Sequence, residues 1–163
     1  MLQAYNERGE LVIASLYSKK EVERLRKESF YCPECRQSVI LRAGPKVIPH
    51  FAHKSTHACQ SHESGESLYH KRAKLFLYQW LRKQFSKVYL EHYIKNIKQR
   101  PDLLCQVKNR KLAIEFQSAM VPIREIQKRT EGFVQEKVQP IWILGKKLMK
   151  RVGYKNNSFW LSD

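Results

Sequence analysis

The chain has 163 residues and a formal charge of +16 at pH 7, from 31 lysines and arginines against 15 acids. That length suits one compact core plus a small accessory module, and the charge makes a polyanion the natural partner. It excludes little else by itself, but the longest apolar run is far too short to cross a membrane, and no repeat or low-complexity segment stands out.

In chain order, Leu2–Tyr5 and Leu11–Ser15 read as strands joined by Asn6-Glu7-Arg8-Gly9. Ser18 and Glu21 form a capping-box signature for a helix over 19–28. Met1–Tyr5 lacks the charged and apolar regions of a signal peptide, so a reduced, cytoplasmic setting is expected. Cys32-Pro33-Glu34-Cys35 follows, a cysteine pair that can grip one metal or act as a redox couple. Val39-Ile40-Leu41, a Gly44-Pro45 turn and Val47-Ile48 read as a hairpin. His50-Phe51-Ala52-His53 and then Cys59 come next. Structural zinc takes four nitrogen or sulfur ligands. Cys32, Cys35, His53 and Cys59 supply them, with His50 as the alternate histidine and His57 and His62 as weaker ones. Lys54–Gly65 reads as a link to the rest of the chain.

From Gly65 to Phe85, Leu68, Leu75, Tyr78, Leu81 and Phe85 recur at helical spacing. Glu66, His70 and Lys74 stack along one face of that helix. Glu66 is equally an ordinary first-turn acid, and His70 a solvated surface residue. Candidate strands follow at Lys87–Ile94, Leu103–Val107 and Leu112–Ser118. Pro122 opens a second helix, Ile123–Lys137, and 140–144 form a short buried strand. Within the third strand, Glu115 and Gln117 share one face. An acid there is an ordinary edge residue or ion-pair partner, or, being costly to bury unpaired, a ligand of a hard cation such as Mg²⁺. Asp102, after Pro101, fits either turn chemistry or a site. Cys105, inside an apolar strand, reads as a packing residue.

Glu66 with His70, then Asp102, then Glu115-Phe116-Gln117, resembles the PD-(D/E)XK nuclease superfamily. The resemblance implies an α/β (α+β) restriction-endonuclease-like core, with a mixed sheet flanked by helices. It implies Glu66, Asp102 and Glu115 as ligands of a catalytic Mg²⁺ or Mn²⁺, with His70 and Gln117 completing the catalytic set. Gln117 stands where that family carries lysine, and glutamine supplies no positive charge. The cysteine and histidine module followed by these motifs is similar to the CoiA-like competence protein family. That likeness implies a zinc-ribbon module over 1–62 and a nuclease-like core over 63–163. It also implies a cytoplasmic protein that processes DNA during natural transformation, with single-stranded or branched DNA and recombination proteins as partners. A non-catalytic DNA-binding adaptor, or a zinc module recruiting recombination proteins, are the alternatives.

Lys71-Arg72 and Lys74, Arg82-Lys83, Lys108 with Arg110-Lys111, and Lys146-Lys147 with Lys150-Arg151 and Lys155 cluster the charge. Each cluster alone reads as a solvated face; together they suit phosphate. Gly145-Lys146-Lys147 lacks the glycine spacing of a phosphate-binding loop, so ATP is not implied.

Overall fold

A computed structural model of the chain describes residues 1–54, 59, 66–151 and 159–161. The expected link over 54–65 lies largely outside those residues, as do His57, His62 and Lys155. The described chain is a mixed α and β structure that divides into two compact units, Met1–Arg72 and Ala73–Asp163.

The first unit is built on a five-stranded antiparallel sheet. Its strands are β1 (Ala4–Asn6), β2 (Leu11–Val12), β3 (Phe30–Tyr31), β4 (Ser38–Gly44) and β5 (Val47–His53), in the order β2-β1-β3-β4-β5. The second expected strand stops early, because Ala14–Leu16 turn into a 3-10 helix. Helix α1 (Lys19–Leu25) carries the expected capping box, with Ser18 and Glu21 bonded reciprocally. It ends three residues sooner than the sequence suggests. Ala4, Val12, Ala14, Leu25, Phe30, Cys32, Val39 and Phe51 pack together as the core of this unit. The Phe30 and Phe51 rings lie 4.8 Å apart and tilted, the offset geometry that aromatic pairs favour.

Helix α2 (Leu68–Arg82) starts later than Gly65 because Ser67 closes its first turn, accepting a bond from the His70 N–H at 3.1 Å. The division between the two units falls inside this helix. The second unit contains a four-stranded sheet in the order β6 (Lys87–Leu90), β7 (Leu103–Val107), β8 (Arg110–Gln117) and β9 (Val138–Leu144). β6, β7 and β8 run antiparallel, and β9 lies parallel to β8. A parallel neighbour requires a crossover, and α3 (Ile123–Gln135) is that crossover. Its fully buried Phe133 packs on Ala113 and Val138. β6 is shorter than expected: Glu91 takes a left-handed backbone at φ 47°, which ends the strand at Leu90. An antiparallel strand pair, β10 (Met149–Arg151) with β11 (Phe159–Leu161), completes the described residues.

Candidate functional site

Two constellations emerge, one in each unit. In the first, the knuckle Cys32–Cys35 sits between β3 and β4. The Cys32 N–H donates to the Gln37 carbonyl at 2.8 Å, and Arg36 takes φ 60° to close the turn. β5 pairs with β4 so that His53 stands opposite Val39, at the end of β4 next to the knuckle. Strand parity then separates the two histidines. Phe51 and His53 are buried on one face, and His50 belongs to the other. There the His50 ring lies 2.8 Å from the Ile48 carbonyl. Cys59 joins from outside the strands. One ligand atom from each of Cys32, Cys35, His53 and Cys59 lies within 4.8 Å of the others. The Cys35 sulfur is 3.3 Å from His53 Nε2.

Three thiols and one imidazole converging at this spacing are a donor set that fits zinc, which binds thiolate and imidazole tetrahedrally. Burial pushes the Cys32 thiol up to about 12. A metal bound there must displace that thiol's proton. The fourth cysteine, Cys105, is buried in β7, and burial pushes its thiol up to about 11. It belongs to the packing, as its apolar strand suggests.

The second constellation lies at one end of the four-stranded sheet. Leu90 pairs with Leu103, and Leu103 with Ile114. One step further along each strand come Glu91, Asp102 and Glu115, three acids in a row across three neighbouring strands. The Glu91 N–H donates to the Asp102 carbonyl at 2.9 Å, which fixes the first of these neighbours. Asp102 Oδ2 accepts the Phe116 N–H at 2.7 Å, which ties Asp102 to the Glu115-Phe116-Gln117 segment. All three acids are buried.

Among the described residues, Lys74 and Arg129 form ion pairs with the row. Lys74, on α2, places Nζ 2.6 Å from Glu91 Oε1 and 3.5 Å from Asp102 Oδ1. Arg129, on α3, forms an ion pair with Glu115 and also donates to the Arg100 carbonyl at 3.3 Å. Burial works against ionising Glu91, but the Lys74 charge prevails and holds its carboxyl down at about 2. The arginine partner is one that the sequence permits for Glu115, but nothing in the local pattern singles out Arg129 among so many basic residues. Glu91 also escapes a motif search. Its signal is register: it follows the strand that pairs with the Asp102 strand. Gln117 is half-buried and donates to the Ala119 carbonyl.

Glu66 and His70 stand at the start of α2, an ion pair at 3.8 Å if the imidazole is protonated. The Glu66 side chain is 7% exposed and that of His70 22%, so neither is the solvated surface residue that the helix pattern alone allows.

Known proteins resemble the chain in two consecutive parts. A family described as "Competence protein CoiA, nuclease-like domain" matches residues 66–163. A second, "Competence protein CoiA, N-terminal domain", matches residues 14–62. The "Competence protein CoiA" of Bacillus subtilis (strain 168) is 40% identical over 136 residues, which cover 83% of this chain and 36% of the relative. The chain thus spans little more than a third of that relative's length. No solved structure matches significantly. Among the described residues, no helix is long and apolar enough to cross a membrane. With both parts matched in order and a relative 40% identical over 83% of this chain, the chain belongs to the competence protein CoiA family.

Proposed function

We propose that the chain is a metal-dependent deoxyribonuclease with a PD-(D/E)XK-type core over 63–163 and a structural zinc ribbon over 1–62. It would process DNA during natural transformation and recombination, in the cytoplasm. The observation that carries this reading is the Asp102–Glu115 pair at the sheet end, inside the matched nuclease-like domain. Glu66 and His70 fall in the same matched domain and complete the proposed set.

Asp102 and Glu115, with Glu66, would hold Mg²⁺ or Mn²⁺. The oxygen-only donors of carboxylates suit these hard cations. Such a cation, when bound, polarises a phosphoryl oxygen and makes water a nucleophile. The chain's own residues do the rest. The Phe116 N–H orients Asp102, Arg129 restrains Glu115, and Gln117 can donate a hydrogen bond to a phosphate oxygen or a water. His70 can position phosphate or carry a proton. Cys32, Cys35, His53 and Cys59 would hold the zinc, which shapes the small unit and takes no part in hydrolysis.

The reading is tested by incubating single-stranded, duplex and branched DNA with the protein in Mg²⁺, Mn²⁺ or EDTA. Cleavage of at least one form in metal, and of none in EDTA, supports it. Gln117 in place of a lysine favours the second reading, a non-catalytic DNA-binding adaptor that keeps the nuclease fold. Both readings share one expectation. The charge of +16 predicts DNA affinity that falls steeply with salt and depends little on sequence. A filter-binding series from low to high salt checks this. A flat profile would reduce the basic clusters to ordinary solvated surface.

A further inference from the structure

The Lys74–Glu91 pair has no role in the account above, and its position is unusual. Lys74 has no exposed surface and Glu91 only 3%. A buried ion pair is a poor device for stability, because desolvation offsets most of the attraction. Apolar residues of similar size would fill the same space. Glu91 also sits at φ 47°, a conformation that costs a non-glycine residue energy and clusters at functional sites.

What the pair accomplishes is specific to Asp102. Glu91 binds the Asp102 carbonyl through its own N–H and grips the Lys74 ammonium at 2.6 Å. That grip holds the ammonium 3.5 Å from Asp102 Oδ1, while Oδ2 is taken by the Phe116 N–H. Asp102 is therefore oriented at both oxygens. The charge balance is also set. Glu91, Asp102 and Glu115 are ion-paired with Lys74 and Arg129, and the buried Arg100 adds positive charge near Glu91.

We propose that Lys74 and Glu91 are positioning residues of the Asp102–Glu115 site: a buried cation and acid that fix Asp102 and set the local charge a divalent cation meets. The proposal rests on the reading that these acids hold such a cation. Lys74 supplies from α2 the positive charge that Gln117 does not supply from β8. Being fully buried, it acts through Asp102 and not on the phosphate.

Mn²⁺ binding to the full, zinc-loaded chain, followed by the electron paramagnetic resonance of free Mn²⁺, tests this apart from cleavage. Lys74→Met should tighten Mn²⁺ binding about tenfold, because a like charge beside the ligand is gone. Glu91→Gln should weaken it about tenfold, because an acid is lost and Lys74 is left to Asp102 alone. The double variant should fall between the two single variants, because the two charge changes cancel, and stay weaker than wild type, because Asp102 is no longer held by the pair. Thermal unfolding of each variant reports folding separately. If Lys74→Met fails to fold, Glu91→Gln carries the test, since Lys74 keeps its Asp102 partner there.

If wild type and all folded variants bind Mn²⁺ alike, and Asp102→Asn abolishes binding, the metal site stands and the Lys74–Glu91 assignment is overturned. If wild type binds no Mn²⁺, or Asp102→Asn binds as wild type does, the Asp102–Glu115 reading itself has failed and this assignment falls with it.

Discussion

Cys32→Ser is expected to release zinc and to unfold the N-terminal unit. Cys32 is both a candidate ligand and a fully buried member of the core with Phe30, Val39 and Phe51. The unit spans only Met1–Arg72, a size at which apolar burial alone leaves little margin. Structural zinc contributes on the order of 10 kcal/mol to such modules, which exceeds that margin. Elemental analysis should find about one zinc per wild-type chain, by the four-ligand rule, and none in the variant. Circular dichroism should show the loss of this unit's cooperative melting. Cys105→Ser, in the other unit, should keep its zinc. A wild-type chain purified without metal, with Cys32 and Cys35 joined as a disulfide, would refute the zinc assignment.

Glu115→Ala should lower metal-dependent cleavage by about three orders of magnitude. A carboxylate ligand helps to place the cation, whose charge stabilisation is worth several kcal/mol, and about 1.4 kcal/mol is tenfold in rate. Removing the acid leaves Arg129, 27% exposed, able to reach water, so the fold should persist. DNA binding should hold or strengthen, because a negative charge near the phosphates is gone. Gln117→Lys is the informative companion. It places an ammonium on β8, beyond the Arg129–Glu115 pair, and should keep or raise cleavage. Loss of DNA binding by Glu115→Ala to the same degree as cleavage would mean that the residue is structural.

Much of this architecture was legible from local pattern. The capping box of α1, the strand Leu103–Val107 and the helix beginning at Ile123 follow from periodicity and turn chemistry, and appear at or near their expected ends. The cysteine and histidine spacing pointed to one cluster, and strand parity in β5 selects His53 over His50 once the pairing with β4 is known. Pairing is what a single sequence withholds. Glu91 becomes a neighbour of Asp102 only through the β6–β7 register, and Arg129 reaches Glu115 only because α3 crosses back between β8 and β9. Lys74 could be placed on the correct helix face, but its complete burial reflects tertiary packing that helical periodicity does not encode. The ends of α2 and β6 moved for local reasons, the Ser67 cap and the Glu91 backbone, that are weak signals in isolation.

The central claim, that Asp102 and Glu115 form a catalytic metal site, is tested most directly by cleavage on metal restoration. Zinc-loaded protein is freed of Mg²⁺ and Mn²⁺, then supplied with Mn²⁺ over a labelled DNA, with Asp102→Asn and Gln117→Lys beside wild type. The account predicts that Mn²⁺ restores cutting to wild type and to Gln117→Lys, and not to Asp102→Asn. If wild type and Gln117→Lys both leave the DNA intact in every divalent metal, or Asp102→Asn cuts as well as wild type, the acids are not a catalytic site; in the first case, with DNA binding retained, the adaptor reading replaces it.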